Sequence, residues 1–420
     1  MPTGGTGVRT RIAAIAVALV VGLLGVTAPT AAAPNSVDTA PPTAAGLPEF
    51  LQMGSRLTWY AGDSTVQGAR LVADPNGWIL RNGQRYRVET SGEATAGVGY
   101  EQLNIVSNSE GAVVADQRFF LITDLQTNDT IPATSGVVTG TQLGIGQYWI
   151  APQLLATMTE GVDGGTTTAK IPLELNGQQY AAISISTSTA NTYAGYTYDL
   201  ATGLLLTGGT MVAGDDVQIT DGNGALVDET SGTVSYSNKS FVSTRQLDMP
   251  WAGQPLPEWA VPGTATNYEG TFRLEFFDGT PGSPPVPITA TATFDTRAGT
   301  AFVGRLTSAT NVPGTPSEES TSDRVYSASA FDGIWFPPAA LAQFQPQQVL
   351  DNDATTGYVT TFTGVSGTNA VILRSGGPDE QESFYDVNTG LLTFVRSGQS
   401  TPGVGVQITE LTLTGQTAGD

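Results

Sequence analysis

Two phrases occur twice in this chain, in the same order and at matching separation. Trp149-Ile-Ala-Pro152-Gln-Leu-Leu155-Ala156 returns as Trp335-Phe336-Pro-Pro338-Ala-Ala-Leu341-Ala342. Tyr198-Asp199-Leu-Ala-Thr202-Gly203-Leu204-Leu205 returns as Tyr385-Asp386-Val-Asn-Thr389-Gly390-Leu391-Leu392. Trp149 stands as far from Tyr198 as Trp335 from Tyr385, to within one residue, so the chain is read as a duplicated domain. A third echo, Leu47-Pro48-Glu49-Phe50 against Leu256-Pro257-Glu258-Trp259, marks where each copy opens. From opening to Trp phrase the second copy is about 22 residues shorter. Length differences of that kind fall in surface loops or edge hairpins.

Within each copy the dominant period is two. Ile288, Ala290, Ala292 and Phe294 share one face of a strand and Thr289, Thr291 and Thr293 the other, the pattern of a half-buried strand. Asn76-Gly77, Asn82-Gly83, Asn176-Gly177 and Asp278-Gly279 are hairpin dipeptides and indicate an antiparallel meander. In the last strand the apolar parity changes from Val406 and Ile408 to Leu411 and Leu413, which predicts a bulge near Thr409 or Glu410. Pro152 and Pro338 suit the first turn of a helix, so one helix of two to three turns is expected per copy. The fold class is therefore all-β: two tandem homologous antiparallel domains, curved-sheet or barrel-like, each with one short helix.

Arg9 and Arg11, the apolar run from Ile12 to Val26 and the small residues up to Ala33 are laid out as a secretory signal peptide. The run is shorter than the ~20 residues that cross a bilayer, so no membrane span is expected after cleavage. The expected organisation is a signal peptide over 1–33, a disordered linker over 34–46, copy 1 over 47–253 and copy 2 over 254–420. The chain is read as secreted, extracellular or at the cell surface, of bacterial type.

A net charge of −21, more negative still without Arg9 and Arg11, disfavours nucleic acid and anionic membranes as partners. The chain has no His and no Cys. That removes Ser-His-Asp and Cys-His catalysis and His- or thiolate-ligated metals. Lys170 and Lys239 are the only lysines, and neither stands in a phosphate-binding glycine loop. Asp351-Asn-Asp353-Ala-Thr355 opens like a calcium loop, but Gly357 comes one place late and Phe362 replaces the bidentate Glu. Asp221, Asn223 and Glu229 fit no better. No cofactor and no metal are expected.

The Tyr-Asp-x-x-Thr-Gly-Leu-Leu phrase is explained by turn chemistry: Asp199 and Asp386 cap a tight turn, and Gly203 and Gly390 supply positive φ. On this reading they are structural residues and none of them is catalytic. The hairpin over Tyr198 to Leu205 and Tyr385 to Leu392 resembles one in the periplasmic lipoprotein-carrier family and its mycobacterial lipid-carrier relatives. That resemblance implies curved antiparallel sheets whose concave apolar side is plugged by short helices. By size and strand content the copies also resemble paired lipocalin-like barrels.

The Trp phrase has two readings. Its ring packs beneath the helix as core, or Tyr148 with Trp149, and Trp335 with Phe336, line the mouth of an apolar pocket. Carboxylate chemistry needs only two acids at the right separation, and the candidates are Asp332, Asp351 with Asp353, and Asp215 with Asp216. The functional expectation is non-catalytic binding of an apolar or amphipathic small molecule, or of a cell-envelope component. The alternatives are a structural surface or matrix protein and a carboxylate-dependent enzyme on polysaccharide. The oligomeric state is open.

Overall fold

The computed structural model describes residues 47–420 except 91, 93, 110, 216, 221–231, 312–315, 332, 402 and 420. The expected signal peptide and linker lie outside the described residues, as do Asp216, Asp221, Asn223, Glu229 and Asp332.

Copy 1 opens with β1 (Ser55–Val66), β2 (Ala69–Ala73), β3 (Ile79–Arg81), β4 (Gln84–Thr90), β5 (Ala94–Ser107), β6 (Ala112–Asp124) and β7 (Asp129–Thr141). The short β8 (Gly144–Ile145) and β9 (Trp149–Ile150) lead into helix α1 (Pro152–Thr157). Then come β10 (Gly161–Asp163), β11 (Thr166–Leu175), β12 (Gln178–Ser188), β13 (Thr192–Asp199), β14 (Leu205–Ala213), β15 (Gln218–Thr220) and β16 (Val234–Gln246). Copy 2 opens with β17 (Ala265–Glu275), β18 (Val286–Ala298), β19 (Ala301–Thr310) and β20 (Glu318–Ser327), followed by helix α2 (Pro338–Leu341). It closes with β21 (Gln348–Asp353), β22 (Tyr358–Ser366), β23 (Asn369–Gly376), β24 (Asp379–Asp386), β25 (Leu392–Thr401) and β26 (Gly405–Thr417).

The two large sheets have one topology. In copy 1 the order β7-β6-β5-β1-β16-β14-β13-β12-β11-β10 matches, strand for strand, β20-β19-β18-β17-β26-β25-β24-β23-β22-β21 in copy 2. Register irregularities recur at equivalent places: Thr58/Trp59 with Asn267/Tyr268, Ile105/Ser107 with Phe294/Thr296, and Thr197/Tyr198 with Phe384/Tyr385. Bulges re-aim strands locally, so both sheets are bent at the same three places. Asn82-Gly83 and Asn176-Gly177 have positive φ at both residues, as two-residue type I′ hairpins require.

Two expectations are corrected. The helices span six and four residues, shorter than the pattern predicted, because each has only to cover the end of a core. The last strand runs in continuous register from Glu275↔Val406 to Tyr268↔Leu413, and its irregularity lies one step later, past Leu413. The parity change is real without a bulge: Leu411 and Leu413 pack on the core, while Val406 and Ile408 line a cleft of about 250 Å³ with Glu380, Glu382 and Arg396.

Copy 1 carries a small sheet ordered β15-β2-β4-β3 that has no counterpart among the described residues of copy 2. The sequence difference is thus an inserted sheet, whose Ala69, Leu71, Ile79 and Tyr86 pack on Met211, Ala213 and Val234. Each copy has its own core, around Trp59, Leu103, Ile105 and Leu155 in the first and Phe294, Phe336, Phe362 and Tyr385 in the second. Leu247, Met249 and Trp251 between the copies are buried in the second core. The copies also share an apolar seam in which Val106 and Val114 meet Ala301 and Val325.

No helix among the described residues is long and apolar enough to cross a membrane.

Candidate functional site

The repeated phrases form one lock, built the same way in both copies. The Trp149 indole N–H donates to Thr202 O at 2.8 Å, and that of Trp335 to Thr389 O at 3.0 Å. Ile150 N donates to Gly203 O and Leu205 N to Tyr148 O; Phe336 N donates to Gly390 O and Leu392 N to Ile334 O. These bonds tie the chain leaving β9, or the segment after β20, back onto the hairpin between β13 and β14, or β24 and β25. A Cβ at Gly203 or Gly390 would stand about 2 Å from the carbonyl oxygen of Ile150 or Phe336, where only glycine fits.

Asp199 accepts from the Thr202 hydroxyl at 2.6 Å and its amide at 3.1 Å; Asp386 does the same with Thr389 at 3.0 and 2.8 Å. Hydrogen bonds from the backbone of Thr389 outweigh its slight burial and hold Asp386 below the usual carboxylate range. Trp149, Trp335 and Phe336 are all buried in their cores. Tyr148 is buried too, but its hydroxyl reaches something different.

That hydroxyl enters a polar cluster inside copy 1. Glu101, on β5, projects from the same face as Leu103 and Ile105 and is 5% exposed, so a carboxylate occupies a core position. Lys239, on β16, forms an ion pair with it at 2.6 Å. The Tyr148 hydroxyl and the Gln117 amide both donate to the other Glu101 oxygen. The Lys239 ammonium also donates to the Tyr148 hydroxyl at 3.2 Å and lies 4.7 Å from that ring's centroid. Trp59 closes the floor, its ring 5.2 Å from Tyr148 and 6.1 Å from Phe241. Burial, then the Glu101 charge and hydrogen bond, push the Tyr148 hydroxyl well above its ordinary pKa, so it remains a donor.

Toward solvent the inner face turns small and polar. Gly99 and Gly97 continue β5 beyond Glu101, paired with Ala61 and Asp63 of β1. Gly208 pairs with Lys239, and the Thr210 and Ser237 hydroxyls meet at 2.7 Å. Partial burial raises the Asp63 carboxyl above its usual range; Lys239 opposes the shift and Glu101 adds to it. Burial and Glu101 likewise raise the hydroxyl of Tyr196, which pairs with Gly208.

Register locates the same positions in copy 2. Trp59↔Glu101 corresponds to Tyr268↔Ala290, Leu103↔Gln117 to Ala292↔Leu306, and Ala61↔Lys239 to Gly270↔Leu411. Tyr148 corresponds to Ile334, since Leu205 N and Leu392 N bond their carbonyls. Asp63 corresponds to Phe272 and Gly208 to Val395. Glu101, Gln117, Tyr148 and Lys239 are thus all replaced by apolar residues in copy 2, where Ala290 and Ile334 are core residues with Leu306, Val395 and Leu411 packed against them, while Tyr196 corresponds to the buried Ser383. This fold closes without the ion pair.

Sequence reasoning reached Tyr148 through its neighbour and missed Glu101, Gln117 and Lys239. A signal was present: Glu101 alternates with Leu103 and Ile105, and Lys239 with Phe241, each a charge on an apolar parity. Asp351 and Asp353 instead join the two copies. Arg56 pairs with Asp351 at 2.8 Å and Asp353 at 3.2 Å, and Arg245 reaches Asp351 at 3.1 Å. Asp215 is a loop acid that accepts from Asn191.

No family model matches the chain, and no curated protein matches it. Among solved structures it is similar to a double mutant of transferrin-binding protein B from Haemophilus parasuis, at 9% identity over 87% of this chain and 77% of that one. The TM-score is 0.12, a likeness too slight to bear on the fold or the site.

Proposed function

We propose that this is a secreted binding protein without catalytic function, in which copy 1 takes the ligand and copy 2 is scaffold. The ligand is a small amphipathic molecule or the end of a cell-envelope component. Its polar group is held at Lys239, Glu101 and Tyr148, and its apolar part lies along the inner face beside Tyr196. The observation that carries this reading is the position-by-position exchange of Glu101, Gln117, Tyr148 and Lys239 for Ala290, Leu306, Ile334 and Leu411. A buried ion pair is on average no more stabilising than apolar residues in its place. Stability alone does not account for the polar version.

The test is mass spectrometry of the full chain purified from its host, beside a variant carrying Glu101→Ala, Gln117→Leu, Tyr148→Ile and Lys239→Leu together. The expected result is an amphiphile that co-purifies with the first and not with the second, both melting cooperatively. If both carry it, or neither does and host-envelope lipid extract leaves the melting temperature unchanged, the reading is wrong. A carboxylate enzyme has one observation in its favour, the Asp63 carboxyl, raised chiefly by burial and further by Glu101. Polysaccharide cleavage abolished by Asp63→Asn would replace binding with that activity.

A further inference from the structure

The inserted sheet of copy 1 departs from the rest of the chain in charge. Ala69–Thr90 holds Arg70, Arg81, Arg85 and Arg87 against Asp74 and Glu89, in a protein whose net charge is −21. Arg70 and Arg87 are matched, each at 2.6 Å from Glu89. The other two, among the described residues, donate to neutral acceptors. Arg81 bonds Ala190 O at 2.7 Å, Asn191 Oδ1 at 2.7 Å and Val217 O at 3.2 Å. Arg85 bonds Gly77 O at 3.1 Å and Ser188 Oγ at 3.4 Å. The carboxylate of Asp215 communicates with Arg81 through the Asn191 amide.

Next to these side chains an exposed indole rests on a partly buried tyrosine. Trp78 follows Gly77, whose carbonyl Arg85 holds, and is 52% exposed. Its ring stacks on Tyr193, with centroids 5.7 Å apart and planes 26° apart. Tyr193 is two residues beyond Asn191, the partner of Arg81. One indole face is thus packed and the other is open. The core beneath is filled by Ile79, Leu71 and Tyr86, so burial does not account for an indole here.

We propose that Trp78 on Tyr193, flanked by Arg81 and Arg85, is a binding site for an acidic polysaccharide. A flat, rigid aromatic face packs against the apolar face of a pyranose ring. Guanidinium forks match carboxylate and sulfate oxygens. Charge complementarity selects the partner: a polyanion is repelled by most of this surface and meets, at Arg81 and Arg85, two guanidinium groups that have no direct carboxylate partner among the described residues. The site is separate from the interior of copy 1, and the described residues of copy 2 hold no equivalent.

The experiment is calorimetric titration of the full chain with polygalacturonate, dextran sulfate and neutral dextran at low and physiological salt. At least one polyanion binds, more weakly as salt rises, and dextran does not; which polyanion binds identifies the anion. Trp78→Ala lowers the affinity roughly tenfold or more, as loss of a central aromatic anchor does. Arg85→Gln lowers it and flattens its salt dependence. Both variants keep the parent melting temperature, and the fourfold interior variant binds as the parent does. Failure of both polyanions to bind, equal binding of dextran, or undiminished binding by Trp78→Ala would each overturn the proposal.

Discussion

Glu101 and Ala290 occupy one address in the fold, as do Lys239 and Leu411, and the pairs illustrate two ways of filling a core. Removing one member of a buried ion pair strands the other charge, which costs about 3–5 kcal/mol. Replacing the whole group by apolar side chains removes the desolvation cost and is neutral or stabilising by about 1–4 kcal/mol. Urea unfolding of Glu101→Ala should therefore show a large loss of stability. The fourfold variant that copies the second domain should match or exceed the parent, and equal destabilisation of both would show that the network supports the fold. Gly203 and Gly390 are the stricter positions. Their φ of 77° and 72° and the nearby carbonyl oxygens leave no room for a Cβ. At this scale the sequence showed the turn residues fully, because Asp and Gly act within their own few residues. It hid the cluster, because Glu101, Gln117, Tyr148 and Lys239 meet only once four separate strands and loops are in register.

The Trp phrase and the Asp-Gly turn are two halves of one element, which is why they are repeated together. In each copy an indole N–H inside the core finds its acceptor on the turn, so the ring both packs and anchors. Trp335→Phe keeps most of the packing and leaves the Thr389 carbonyl unpaired, at a cost of about 1–3 kcal/mol. Trp149→Phe should cost a similar amount, since its bond to Thr202 is equivalent. Denaturant melts of the two variants check this, and a large effect in one copy alone would break the equivalence. The helices were placed correctly by Pro152 and Pro338, and their length was overestimated because apolar residues beyond the last turn pack without being helical. Phe344 is buried three residues past the end of α2. The shift of apolar parity in β26 read as a bulge because a strand with one dry face was assumed. Here Ile408 is buried on the other face.

A polar joint between β1 and β21 links the two copies, in addition to the apolar seam of Val106, Val114, Ala301 and Val325. Arg56 lies between Asp351 and Asp353, Gln102 donates to Asp353 at 2.5 Å, and Thr130 donates to Thr356 O at 2.8 Å. Nothing in the sequence paired Arg56 with acids some three hundred positions away, and Asp351 and Asp353 read more readily as a loop. Burial is the largest influence on Asp353 and acts upward. The charge of Arg56 and the hydrogen bonds from Gln102, Thr356 and Thr355 together outweigh it, so the carboxyl sits below the usual carboxylate range. A folded pKa below the unfolded one contributes stability that is complete above the unfolded value and is lost as pH falls through the folded value. The joint should therefore hold at neutral pH and fail only in strong acid, with the radius of gyration in small-angle scattering rising as the copies part. Arg56→Met removes the opposing charge and leaves burial dominant, which moves the Asp353 carboxyl upward. The pH at which the copies part should rise while each core still melts cooperatively. An unchanged acid midpoint in Arg56→Met would mean that the valine seam, and not the ion pairs, holds the copies together.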